Sequence, residues 1–138
     1  MRFVHNFDDS GTSEGNPREH ARLPVAVIGA GPVGLAAAAH LLERGLEVKL
    51  YEAGGTIAAN IRDWRHVKLF SPWRYCVDET AAALLRTHGW RAPDPDALPT
   101  GGELIEDYLE PLAALPAMTS VVELEARVVS VGRLGIDK

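Results

Sequence analysis

The chain has 138 residues, 46% of them hydrophobic and 24% charged, with a formal net charge of -5, which is the size and balance of one globular domain. No stretch reaches the roughly 20 apolar residues of a membrane helix, MRFVHNFDDS lacks the apolar centre of a secretory signal, and no basic run offers a footprint for nucleic acid or an anionic membrane surface. Cys76 is the only cysteine, so an internal disulfide, a redox Cys pair and a Cys-based zinc site are ruled out, and the expected address is the cytoplasm.

Residues 1–22 are rich in Asp, Ser, Gly and Asn without periodicity and read as a flexible tail. Leu23, Val25, Ala26, Val27 and Ile28 then form a short apolar run stopped by Gly29, which predicts a strand buried on both faces, as in a parallel sheet. Residues 32–44 are good helix formers, with Pro32 in the first turn and Gly45 as a left-handed stop. Leu46, Val48, Leu50 and Tyr51 predict a second strand ending at Glu52. Strand, helix, strand in that order implies a right-handed parallel crossover.

Beyond Gly55, residues 56–76 mix aromatic, basic and small side chains and, with Pro72, read as an ordered loop. A helix is expected from Asp78, with Val77, Ala81, Leu84, Leu85 and His88 on one face, Asp78 as its cap and Gly89 as its stop. Residues 92–99, with three prolines, are a connector. Thr100 and Glu103 form a capping box ahead of a helix whose apolar stripe is Leu104, Ile105, Tyr108, Leu109 and Leu112. Pro111 should bend or shorten it, having no N–H for the carbonyl of Asp107. Residues 121–131, rich in valine, read as one or two strands.

The chemistry is concentrated in Gly29-Ala30-Gly31-Pro32-Val33-Gly34, a G-x-G-x-x-G. The spacing alone is weak, but here it leaves a predicted strand, opens a predicted helix and precedes an acid, Glu52, roughly 20 positions on at the end of a second strand. Gly29 permits the tight turn, Gly31 leaves room for a pyrophosphate, and Gly34 lets the helix pack closely on the sheet. Ala30 and Pro32 belong to the same loop, whose free N–H groups face the phosphates at the positive end of the helix dipole. Glu52 is placed to accept hydrogen bonds from the ribose 2′- and 3′-hydroxyls, and its charge disfavours a 2′-phosphate. FAD and NAD both satisfy that pattern. On this reading Glu52→Ala weakens dinucleotide binding with the fold intact.

Residues 25–55, VAVIGAGPVGLAAAAHLLERGLEVKLYEAGG, resemble the N-terminal FAD-binding element of the flavoprotein oxidoreductases that include flavin-containing monooxygenases and pyridine-nucleotide disulfide reductases. The resemblance implies an α/β, Rossmann-like FAD/NAD(P)-binding domain, three-layered around a parallel sheet and apparently truncated, occupying residues 23–138. It also implies that Gly29, Gly31 and Gly34 line the FAD pyrophosphate, that Glu52 holds the adenosine ribose, and that Val128 on a late strand contacts the adenine. The expected function is the FAD-binding portion of an NAD(P)H-dependent, monooxygenase-like oxidoreductase with an unspecified small-molecule substrate. Alternatives are an NAD-binding dehydrogenase module and a non-catalytic nucleotide-binding chain. Neither a second glycine-rich motif nor a late Gly-Asp segment occurs.

Other residues have simpler readings. His5, His20, His40, His66 and His88 lack metal-ligand spacing. Trp64, Arg65, Trp73 and Arg74 either wall a cofactor site or pack as cation–π partners, and Cys76 reads as a small buried or half-buried side chain. Glu106, Asp107 and Glu110 form a solvated helix face.

Overall fold

The computed structural model describes residues 23–132; the expected tail at 1–22 lies outside them. Strand β1 (Val25–Ile28) leads through helix α1 (Pro32–Glu43) to β2 (Val48–Tyr51). β1 and β2 pair in parallel with Val25 opposite Val48 and Ile28 opposite Tyr51, which is the βαβ unit expected. Gly45 ends α1 in the left-handed conformation at φ 67°, and the Leu46 N–H returns to the Leu41 carbonyl, closing the last turn.

The segment after β2 is ordered, as expected, by backbone pairing. It contains helix α2 (Ala59–Arg62) and a 3-10 turn (Trp73–Tyr75). Between and around them the N–H groups of Leu69, Trp73 and Arg74 donate to the carbonyls of Pro99, Ala97 and Pro95. The proline-rich connector thus serves as an acceptor rail, a task that needs carbonyls and no N–H groups. Helix α3 (Glu79–Arg86) is capped by Asp78, whose side chain accepts from the Ala81 N–H. Its buried residues are Ala81, Ala82 and Leu85, while His88 is exposed.

The capping box of Thr100 and Glu103 is present and opens α4 (Gly101–Leu104). The helix then widens into a π-helical stretch (Ile105–Leu109) before resuming as α5 (Glu110–Ala113) with Pro111 in its first turn. Pro111 has no N–H to offer Asp107, and the Trp90 indole Nε1 donates to that carbonyl at 2.7 Å instead. The short helix α6 (Pro116–Thr119) follows, and β3 (Val122–Glu123) joins β2 in parallel.

One hydrophobic core joins these elements. Leu35, Ala38 and Ala39 of α1 meet Val48 and Leu50 of β2, Leu85 of α3, and Tyr108, Leu109, Leu112 and Met118 from the C-terminal helices. Two expectations are corrected. The run at β1 is not buried on both faces, since Val25 and Ile28 are 40% and 58% exposed; among the described residues β2 is its one neighbour, in the order β1-β2-β3. The valine-rich stretch forms only the two-residue β3, because Glu125 takes a left-handed backbone at φ 56° and turns the chain out of register with β2. Val128 is accordingly half-buried and outside any strand.

Candidate functional site

The glycine turn between β1 and α1 is built from three glycines with three different physical jobs. Gly29 adopts φ 93°, where a side chain is strained. A Cβ on Gly34 would lie 1.8 Å from the Gly29 carbonyl oxygen, so only hydrogen fits where α1 crosses the turn. A Cβ on Gly31 would meet nothing within 4 Å, which leaves open space over the turn. Leu35 makes the first intrahelical bond, to the Gly31 carbonyl at 2.9 Å. The N–H groups of Gly31, Val33 and Gly34 have no acceptor among the described residues. An open floor, three unengaged donors and a helix dipole fit the pyrophosphate of a dinucleotide.

Glu52, at the end of β2, faces this turn. Its Oε2 accepts from the Ala30 N–H at 2.8 Å and its Oε1 from the Gly54 N–H at 2.7 Å. The carboxylate therefore fastens the turn to the loop that follows β2. Each carboxylate oxygen still has lone-pair capacity for one more donor, which fits a vicinal diol. The same contacts give Glu52→Ala a cost in stability as well: two part-buried N–H groups lose their acceptor, at about 1 kcal/mol or more each.

The loop after Glu52 closes over the turn. Gly54 is held tightly, since a Cβ there would sit 2.7 Å from that of Ala59, and its carbonyl accepts from the Glu125 N–H at 2.9 Å. Ala58 has φ 53° and ψ 32°, a left-handed conformation costing about 1 kcal/mol for a residue with a side chain. Its N–H donates to the Ala30 carbonyl at 2.9 Å. Nothing in the sequence points to Ala58, because alanine carries no turn signal. Only the Gly54-Gly55 pair marks the bend before it.

Beside the first turn of α1 lies a cleft of about 500 Å3, lined by Pro32, Val33, Leu69, Tyr75, Cys76 and Tyr108 among others. Its wall is braced by hydrogen bonds. His40 Nε2 lies 3.0 Å from Asp78 Oδ2, and the Asp78 N–H donates to the Tyr108 hydroxyl at 3.1 Å. Burial raises the pKa of Asp78, but the Ala81 N–H, His40 and the Thr80 N–H together outweigh it and hold the carboxyl below its ordinary value. Burial pushes the Cys76 thiol up, which makes it a poor nucleophile.

Trp64, Arg65, Trp73 and Arg74 make contacts within the fold. Trp73 is buried, and the Trp64 ring lies against Gly101, where a Cβ would come within 2.7 Å of it. Arg65 pairs with Glu106 and Arg62 with Glu110. Arg74 pairs with Asp96 and stacks over Tyr75 at 5.6 Å. Packing is thus the role the structure gives them. The turn residues Gly29, Ala30, Gly31, Pro32 and Gly34 and the carboxylate of Glu52 come together around Ala30. Val128 makes no hydrogen bond to them.

No curated protein matches the chain. An oxidised steroid monooxygenase bound to NADP is similar in fold, with a TM-score of 0.55 at 20% identity over 72% of this chain and 19% of that one. OTEMO in complex with FAD and NADP gives a TM-score of 0.55 at 22% identity over 77% of this chain and 19% of that one. The chain therefore spans 19% of the length of these monooxygenases. The FAD dependent oxidoreductase family matches residues 24–119, most of the described sheet and helices with the glycine turn and Glu52 inside, and the chain belongs to that family.

Proposed function

We propose that residues 23–138 are part of an FAD-binding domain of an NAD(P)H-dependent, monooxygenase-like flavoprotein, and that they hold the ADP half of FAD. The observation that carries this is the glycine turn, where unengaged N–H groups stand over open space beside a carboxylate already fixed in place. In this reading Gly29, Ala30, Gly31, Pro32 and Gly34 cradle the pyrophosphate, Glu52 accepts from the adenosine ribose, and Val128 borders the adenine. The flavin, when bound, supplies two-electron redox chemistry between a nicotinamide and an acceptor. The chain's own contribution is to bind and orient. Its N–H groups neutralise phosphate charge through dipoles, and Glu52 selects a free ribose diol over a 2′-phosphate by charge repulsion.

The experiment is a calorimetric titration of the 138-residue chain with FAD, ADP and 2′,5′-ADP. FAD and ADP should bind, 2′,5′-ADP much more weakly. Glu52→Gln should reduce ADP affinity about tenfold or more, as for hydrogen bonds to a charged group. Binding of NAD but not FAD would move the assignment to a dehydrogenase module; no response to any dinucleotide would sink it.

A further inference from the structure

A peptide unit is planar and trans, so its C=O and N–H point in opposite directions and turn together. No cis peptide occurs among the described residues. The peptide joining Ala30 to Gly31 carries both the Ala30 carbonyl and the Gly31 N–H, one of the three unengaged donors of the glycine turn. Whatever holds that carbonyl therefore aims that N–H. The holder is the Ala58 N–H, 2.9 Å away. The preceding peptide is fixed in the same manner, because its Ala30 N–H is held by Glu52 Oε2 at 2.8 Å.

Ala58 reaches this position in an unusual backbone state. It and Glu125 are the two residues other than glycine with positive φ among those described. Ala58 is buried, and as the residue ahead of α2 its carbonyl accepts from the Ile61 N–H. Helix α2 and the core hold it in the left-handed conformation, and that conformation directs its N–H onto Ala30. Local strain maintained by surrounding structure is common where geometry serves a site. Here it fixes the second peptide of the turn.

We propose that Ala58 is a positioning residue of the dinucleotide site: its backbone N–H orients the Ala30–Gly31 peptide so that the Gly31 N–H faces the phosphate. The inference rests on the dinucleotide-binding reading above and adds a named residue outside the motif. Ala58 itself touches no ligand. The binding it supports is exerted through one hydrogen bond.

The test replaces the amide at position 58 of the full chain by an ester, with lactic acid for alanine, which removes the N–H donor and keeps the methyl side chain. Ala58→Gly is the conservative companion, since glycine accepts positive φ and keeps the N–H. ADP affinity should fall about fivefold in the ester, the scale of one hydrogen bond, and remain at the parent value in Ala58→Gly. Titration with inorganic pyrophosphate gives the deciding readout. In the ester the Gly31 amide resonance should lose most of its shift while those of Val33 and Gly34 still move. A general loss of stability would not separate them. A Gly31 response equal to the parent's would overturn the proposal.

Should the ester not fold, the parent chain carries a second measurement. A scalar coupling across the Ala58 N–H to the Ala30 carbonyl should be present with ADP bound, and its absence would overturn the proposal. If no amide of the parent responds to pyrophosphate or ADP, the dinucleotide reading itself fails and takes this inference with it. A parent that binds ADP beside an ester that binds equally well refutes the role of Ala58 alone.

Discussion

Gly31 and Gly34 stand three residues apart in one motif, yet their substitution by alanine should separate folding from binding. At Gly34 the added methyl would collide with the Gly29 carbonyl oxygen, 1.8 Å away. Backbone on both sides leaves little to yield, so Gly34→Ala should lower unfolding free energy by about 3 kcal/mol or more. Gly31 has φ -84°, which alanine adopts freely, and open space above it. Gly31→Ala should leave the urea midpoint nearly unchanged and cut ADP affinity at least tenfold by occupying the phosphate's place. Equal effects at the two positions in paired unfolding and titration experiments would contradict this division. The glycine turn and Glu52 were legible in the sequence because their spacing marks a strand, a turn and a helix with an acid at the end of the next strand, although the contact of Glu52 with Ala30 spans 22 positions. The role of Ala58 was not, because it resides in a backbone conformation that alanine does not advertise.

Asp78 caps α3, bonds His40 on α1 and places its own N–H on Tyr108, so three elements meet at one residue. Its carboxyl titrates below its ordinary value in the fold. A depressed pKa contributes stability above the unfolded-state value near about 4, and this is lost as pH falls through the folded one. Asp78→Asn keeps an effective cap but removes the titrating charge, so stability should fall less steeply between about pH 5 and pH 3 than in the parent, as read from urea midpoints. Pro111 predicted a disturbed helix from sequence alone, whereas its remedy, the Trp90 indole donating to Asp107, depends on tertiary placement. Trp90→Phe keeps an aromatic ring against Tyr108 but removes the donor; a loss of about 1 kcal/mol in chemical unfolding is expected.

At the scale of the whole molecule, the strand–helix–strand unit and the two later helical regions were readable from period and punctuation. What was not readable was long-range pairing. β1 was expected to be buried on both faces because its residues are uniformly apolar, as in strands covered by helices on either side of a parallel sheet, whereas Val25 and Ile28 are exposed. Among the described residues it has one neighbour, β2. β3 was expected to be longer because valine favours strands, but the left-handed Glu125 interrupts its ladder after two residues. The Glu125 and Ala126 N–H groups still reach Gly54 and Glu52, so the chain past β3 braces the loop that Ala58 ends.

The one-sided pairing of β1 has a consequence for amide exchange with solvent deuterium. The Val25 and Gly29 N–H groups donate to Glu47 and Tyr51, and parallel register directs Val27 to the same side. Ala26 and Ile28 point the other way, where no strand lies among the described residues. Protection should therefore alternate along the strand, slow at Val25, Val27 and Gly29 and fast at Ala26 and Ile28. The alternation is a built-in reporter: any polypeptide that adds itself to this edge will silence exchange at those two amides and leave the other three as they were.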